Sequence, residues 1–149
     1  MRAVVQRVIA ARVRVDGRLV GEVGRGLLVF AGVEKGDGPD DIAYIAGKVK
    51  DLRIFQDAAG KMNLSIAEMG GAALIVSQFT LCGDCRRGRR PSFDDAESPA
   101  AAKPIYEELV VALRKLNVKV ETGEFQADMQ VELTNDGPVT ILLDSRRRW

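Results

Sequence analysis

Residues 72–76, Ala-Ala-Leu-Ile-Val, form an unbroken apolar run directly after Gly70-Gly71. A strand buried on both faces reads this way, because neither of its faces is polar. Residues 26–33, Gly-Leu-Leu-Val-Phe-Ala-Gly-Val, form a second run of the same kind. Such strands need cover on both sides, which confines the chain to layered folds. The first run then turns polar without a breaker, through Ser77, Gln78 and Thr80 with Phe79 between them. Polar groups at the end of a buried strand either satisfy neighbouring backbone or reach a pocket at the sheet edge. Local chemistry leaves both readings open.

The remaining elements read in order. Residues 3–15 are rich in β-branched side chains and predict a long first strand, bent near Ala10-Ala11. Asp16-Gly17 is a tight-turn signal, with 19–23 returning as a hairpin strand. Pro39 suits the first position of a helix, with Asp40 and Asp41 at its positive dipole end. Ile42, Ile45, Ala46, Val49 and Leu52 recur at helical spacing. Arg53-Ile54-Phe55 predicts a short strand, 57–60 a turn, and 65–69 a loop with at most a helical turn.

Ser98 and Pro99 predict an N-cap and first residue for a second helix. Its apolar face would carry Ile105, Leu109, Ala112, Leu113 and Leu116, with Asn117 closing it. Strands are expected at 118–122, 129–133 and 139–143. A loop at 123–128 separates the first two, and an Asn135-Asp136-Gly137-Pro138 turn the last two. Residues 144–149 read as a basic, mobile tail. No repeat or linker appears, so residues 1–149 predict one α/β domain with more strand than helix.

The chain has no histidine. That excludes a Ser-His-Asp triad, a Cys-His dyad and a His-ligated metal site, so a hydrolase of this sequence activates water by another route. Cys82 and Cys85 have redox or half-zinc spacing but no second pair and no strand-to-helix setting. They read as incidental loop thiols. The net charge of +1 creates no global field toward nucleic acid. No apolar run approaches the ~20 residues that span a bilayer. Arg7 falls where a signal peptide would continue its apolar core, so a cytoplasmic location is expected. Arg86, Arg87, Arg89 and Arg90 crowd one irregular stretch. They read equally as a solvated loop paired with Asp84, Asp94 and Asp95, or as phosphate contacts.

Ser77-Gln78-Phe79-Thr80-Leu81 together with Asn135-Asp136-Gly137-Pro138-Val139-Thr140 resembles the signature pair of the D-aminoacyl-tRNA deacylases. The resemblance extends to residues 1–8, 26–29, 52–55, 60–65 and 88–93, in order and spacing, and so covers nearly the whole chain. It implies a homodimer of single-domain subunits, each a mixed β-sheet or partial barrel with two main helices. The activity it implies is hydrolysis of the ester between a D-amino acid and the terminal adenosine of tRNA, and also of mischarged glycyl-tRNA.

Gly137-Pro138 would be cis and reach into the partner subunit's site, where its carbonyls exclude an L side chain. Catalysis would use the tRNA's own 2′-hydroxyl. Backbone N–H groups near Phe79 and Thr80 would stabilise the oxyanion, with Gln78 holding the pocket and Ser77 beside it. A competing reading makes the Thr80 hydroxyl a nucleophile, which requires a nearby base. Phe125, Gln126, Ala127, Asp128 and Met129 would hold the adenosine. Position 126 is usually glycine in the family and is Gln126 here. No cofactor or metal is expected. The alternative function is a nucleic-acid-binding module without chemistry, resting on the arginine loop and Arg146, Arg147 and Arg148.

Overall fold

A computed structural model describes residues 1–148. Its first element, β1 (Arg2–Val15), is the strand on which the others are built. One edge of β1 pairs antiparallel first with β3 (Gly26–Gly32) and then with β2 (Arg18–Val23); the other edge pairs along its length with β8 (Gln130–Asp144). The inward face of β1 is Ala3 and Val5 in its first half, and Val8, Ala11 and Val13 in its second. Irregular pairing between Gln6 and Ala10 marks the change, ahead of Ala10-Ala11, where the ladder with β8 is regular. One strand thereby serves two cores.

The two apolar runs lie side by side. β3 pairs parallel with β6 (Ala72–Ser77), and β6 pairs parallel with β7 (Lys119–Thr122). Leu27, Val29, Ala73 and Ile75 face one core, while Leu28, Leu74 and Val76 face the other. Both faces are buried, as an uninterrupted apolar run requires. The first core is covered by α1 (Pro39–Asp51) and α2 (Pro99–Lys115). The second lies inside the curled sheet, whose edges meet where β2 passes β7. An added Cβ at Gly21 would fall 2.3 Å from the Thr122 carbonyl oxygen, so a side chain there would force the barrel open. A small hairpin of β4 (Phe55–Gln56) and β5 (Met62–Leu64) completes the domain.

Helix α1 begins as expected, with Pro39 first and the Asp41 carboxylate accepting the Gly38 amide at 2.9 Å. Helix α2 also begins as expected, with Ser98 at the N-cap position and Pro99 first, but the Ser98 side chain makes no capping hydrogen bond. Its buried stripe is Ala102, Tyr106, Leu109, Val110 and Leu113, with Ile105, Ala112 and Leu116 at the margin. Tyr106 sets that rotation, because its buried hydroxyl donates to the Ile75 carbonyl at 2.8 Å.

Two further expectations are corrected. Residues 129–133 and 139–143 are not two strands joined by a reversing turn. Apart from Met129, both belong to β8, because each half pairs antiparallel with β1. Residues 136–139 swell out of the ladder opposite Arg7, and the Gly137–Pro138 peptide is cis. The Asn135 side chain closes the swelling by accepting the Val139 amide at 2.8 Å and donating to the Val139 carbonyl at 3.1 Å. It stands in for the missing strand partner.

Residues 144–148 are not a loose tail; Trp149, the last residue of that expectation, lies outside the described residues. The Ser145 amide donates to the Met1 carbonyl at 3.0 Å. The α-ammonium of Met1 donates to Asp37 at 2.6 Å and to the Ser145 hydroxyl at 2.7 Å. Arg148 pairs with Glu34 and Asp144, both buried. Buried carboxylates demand cations, and the basic segment supplies them.

Candidate active site

Strand β6 ends at Ser77, and the chain turns at once into a single 3-10 turn, Phe79–Cys82. The expected polar strand end is therefore a strand followed by a tight turn. Gly32 makes the approach possible: an added Cβ would lie 2.8 Å from the Gln78 carbonyl oxygen and 3.1 Å from the Leu81 Cβ. Above it the Gln78 amide donates to the Ala31 carbonyl at 2.8 Å. From the other side Arg2 Nη1 donates to the Leu81 carbonyl at 2.9 Å, while Arg2 Nη2 pairs with buried Glu34 at 3.0 Å. These contacts were not foreseeable from spacing, since Arg2 and Leu81 are far apart in the chain.

The turn's first bond runs from the Leu81 amide to the Gln78 carbonyl at 3.3 Å. The amides of Phe79 and Thr80 precede it and take no part in the turn's own bonding, as the first N–H groups of any helical turn do not. Gln78 Nε2 donates to the Thr80 hydroxyl at 2.5 Å. Among the described residues no carboxylate bonds that hydroxyl, and Thr80 is exposed. Cys82, the last residue of the turn, is buried and donates to the Val33 carbonyl at 3.5 Å. Burial, with the nearby Glu34 charge, pushes its thiol up to about 11. Such a thiol stays protonated and unreactive near neutrality. Cys85 is exposed and unpaired with it.

A cavity of about 540 Å³ opens beside this turn. Ser77, Gln78 and Phe79 line it together with Phe125, Gln126, Ala127, Asp128 and Met129. The two groups of residues singled out from sequence thus share one concave site. The Gly123 amide, donating to the Ile75 carbonyl at 3.0 Å, ties the start of the second segment to the strand that carries the first. Tyr106 and Glu97, not anticipated from sequence, complete the wall. The Tyr106 and Phe125 rings lie 5.7 Å apart. Burial raises the Tyr106 phenol well above its usual range, so it is a neutral wall and not a base. Its signal in the sequence was only an aromatic at helical spacing, which reads as core.

Gln126 adopts a φ of +65°, the left-handed region that favours glycine. A glycine at this position therefore has a backbone explanation, and Gln126 occupies the same conformation at some cost. Thr80 and the pair Gly137 and Pro138 do not line the cavity of their own chain. Gly137 and Pro138 are exposed on the swelling of β8, where Arg7 Nε donates to the Asp136 carbonyl at 3.0 Å.

The sequence profile of the D-Tyr-tRNA(Tyr) deacylase family matches residues 4–144. The chain belongs to this family. A D-aminoacyl-tRNA deacylase from Anaeromyxobacter dehalogenans is 64% identical over 147 residues, covering 99% of each chain. One from Thermosipho africanus is 58% identical, again over 99% of each. Among solved structures, a c-Myc DNA unwinding element binding protein superposes with a TM-score of 0.92 at 37% identity, covering 97% of this chain and 98% of its own. A probable eukaryotic D-amino acid tRNA deacylase superposes with a TM-score of 0.82 at 18% identity, covering 95% and 97%, a likeness of fold. Family membership makes the chain a hydrolase.

Proposed function

We propose that this chain is an aminoacyl-tRNA editing hydrolase. It cleaves the ester of D-aminoacyl-tRNA, releasing the D-amino acid and free tRNA, and deacylates mischarged glycyl-tRNA as well. The observation that carries this reading is the shared cavity. Among the described residues the amides of Phe79 and Thr80 donate no backbone hydrogen bond, and they begin the turn whose Phe79 lines the cavity together with Ser77, Gln78 and the Phe125 segment. The amides suit a developing oxyanion, and the aromatic part of the wall suits an adenine ring.

With no histidine in the chain and, among the described residues, no carboxylate on Thr80, activation of water falls to the ribose 2′-hydroxyl of the substrate. Gln78 and Ser77 hold the pocket's shape. Gly137 and Pro138, exposed on β8, complete the site of a second copy and block an L side chain. Exposed apolar residues along β1 and β8, among them Ile9 and Leu142, each 56% accessible, support such a homodimer. Among the described residues no helix is long and apolar enough to cross a membrane, and a cytoplasmic place beside tRNA fits this reading.

The test is deacylation of D-aminoacyl-, L-aminoacyl- and glycyl-tRNA by purified protein. D- and glycyl-tRNA should be cleaved with chelator present, and L-aminoacyl-tRNA spared. A substrate ending in 2′-deoxyadenosine should bind but not turn over, and Thr80→Ala should keep most activity. Binding of tRNA with no ester cleavage would favour a nucleic-acid-binding module, the second reading, which the 37% identical DNA-element-binding relative keeps relevant.

A further inference from the structure

Residues 85–91 form a closed loop whose ends meet in an antiparallel bridge. The Asp84 amide donates to the Ser92 carbonyl at 2.7 Å, and the Ser92 amide to the Asp84 carbonyl at 2.9 Å. Phe93, next after the bridge, packs edge-on against Phe79 with centroids 5.0 Å apart. Phe79 lines the cavity, so the loop is fixed at its mouth. At Gly88 the backbone reverses with a φ of +70°, between Arg87 and Arg89.

The four arginines of this loop are not equivalent. Arg86 folds back on Asp84, donating from Nε at 2.9 Å and Nη2 at 2.6 Å. Those bonds draw the Asp84 carboxyl down to about 2, so this pair is self-satisfied near neutrality. Arg87, Arg89 and Arg90 are exposed, and no hydrogen bond or ion pair joins them to the described residues. Several arginines elsewhere are engaged: Arg7, Arg12, Arg53 and Arg148 each donate to a protein acceptor. Asp94, Asp95 and Glu97 lie beyond the bridge, outside the loop. Three like charges held together on a closed loop repel one another until an anion relieves them. Their planar forks match phosphate oxygens.

We infer that Arg87, Arg89 and Arg90 form a phosphate-binding site for the single-stranded RNA end that enters the cavity, gripping its backbone without reading bases. This rests on the reading of the cavity as an aminoacyl-tRNA site. Arg86 is not a ligand; its bond to Asp84 shapes the loop.

The experiment compares the parent with the triple variant Arg87→Gln, Arg89→Gln, Arg90→Gln on two substrates, full-length D-aminoacyl-tRNA and the minimal ester D-aminoacyl-adenosine. The tRNA reaction should lose on the order of tenfold or more in kcat/KM, and its log–log salt slope should shrink by about 2, at about 0.7 for each phosphate no longer neutralised. The minimal ester should be cleaved as before. A triple lysine variant should retain most of the salt slope. Equal loss on both substrates would show that the loop merely props Phe79, and no change in either would leave the arginines without a role; both results overturn the inference. If the parent cleaves neither substrate, the activity reading fails by itself. Affinity for uncharged tRNA then tests the loop: a weaker, less salt-dependent triple variant supports it, and unchanged affinity overturns it.

Discussion

Gln126 shows how one backbone angle can explain a residue preference that side-chain reasoning misreads. A glycine in the wall of a pocket invites the reading that it lets a ligand approach the backbone. The φ of +65° offers a simpler cause, since a left-handed conformation costs an ordinary residue about 1–2 kcal/mol. Glycine avoids that cost but adds about 0.5–1 kcal/mol of unfolded-chain entropy. Gln126→Gly should therefore stabilise the protein by up to about 1 kcal/mol, read as a small rise in thermal midpoint. A fall would mean that the Gln126 side chain makes contacts worth more than the strain. Asn117, φ +62°, occupies the same region and closes α2; asparagine tolerates it, which is why that stop was legible in the sequence.

At the scale of elements, the Asn135–Val139 swelling is the clearest case of a local signal with two tertiary outcomes. Asn-Asp-Gly-Pro marks a reversal in most settings. Here β1 continues past the cluster and offers pairing partners on both sides of it, so the strand resumes in the same direction. The Asn135 amide holds the swelling closed by two bonds. Asn135→Ala should cost about 1–3 kcal/mol, measured by urea unfolding. It should also loosen Gly137 and Pro138 and raise cleavage of L-aminoacyl-tRNA relative to D. Loss of stability with unchanged D-to-L preference would separate the swelling from stereochemical selection. The strand-to-turn break after Ser77 follows the same logic. Propensity did not mark it, because the break depends on Gly32 and Arg2, which approach the turn from elsewhere in the fold.

For the molecule as a whole, the two chain ends are joined by a buried ionic cluster. Burial by itself would raise the carboxyl of Asp144, but hydrogen bonds from Arg148 and from the Arg146 amide hold it below its ordinary 3.8. Asp41 behaves alike: burial raises it, and the Ser145 hydroxyl, the Gly38 amide and the α-ammonium bring it below 3.8. A lowered carboxyl contributes stability that is fully present above its unfolded value and is lost as pH falls through its folded value. Thermal midpoints should thus hold from pH 7 to about 5 and drop below about pH 4. Asp144→Asn should lose about 1–3 kcal/mol at pH 7 and respond less to acid. An unchanged acid profile would remove Asp144 from the cause.

The sequence by itself determined the strand and helix types, the central buried strands, the exclusion of histidine chemistry and, through motif order, the family. Each of these follows from periodicity, local turn chemistry or residue type, which neighbours along the chain express. Only the tertiary structure decided that Ser77, Gln78, Phe79, Phe125 and Tyr106 line one cavity, and that β8 passes through its Gly-Pro cluster unreversed. It also decided that the basic end is locked to Met1, Glu34 and Asp37. Those outcomes turn on partners up to 144 positions apart, and the demand of a buried carboxylate for a cation is invisible until the fold has buried it.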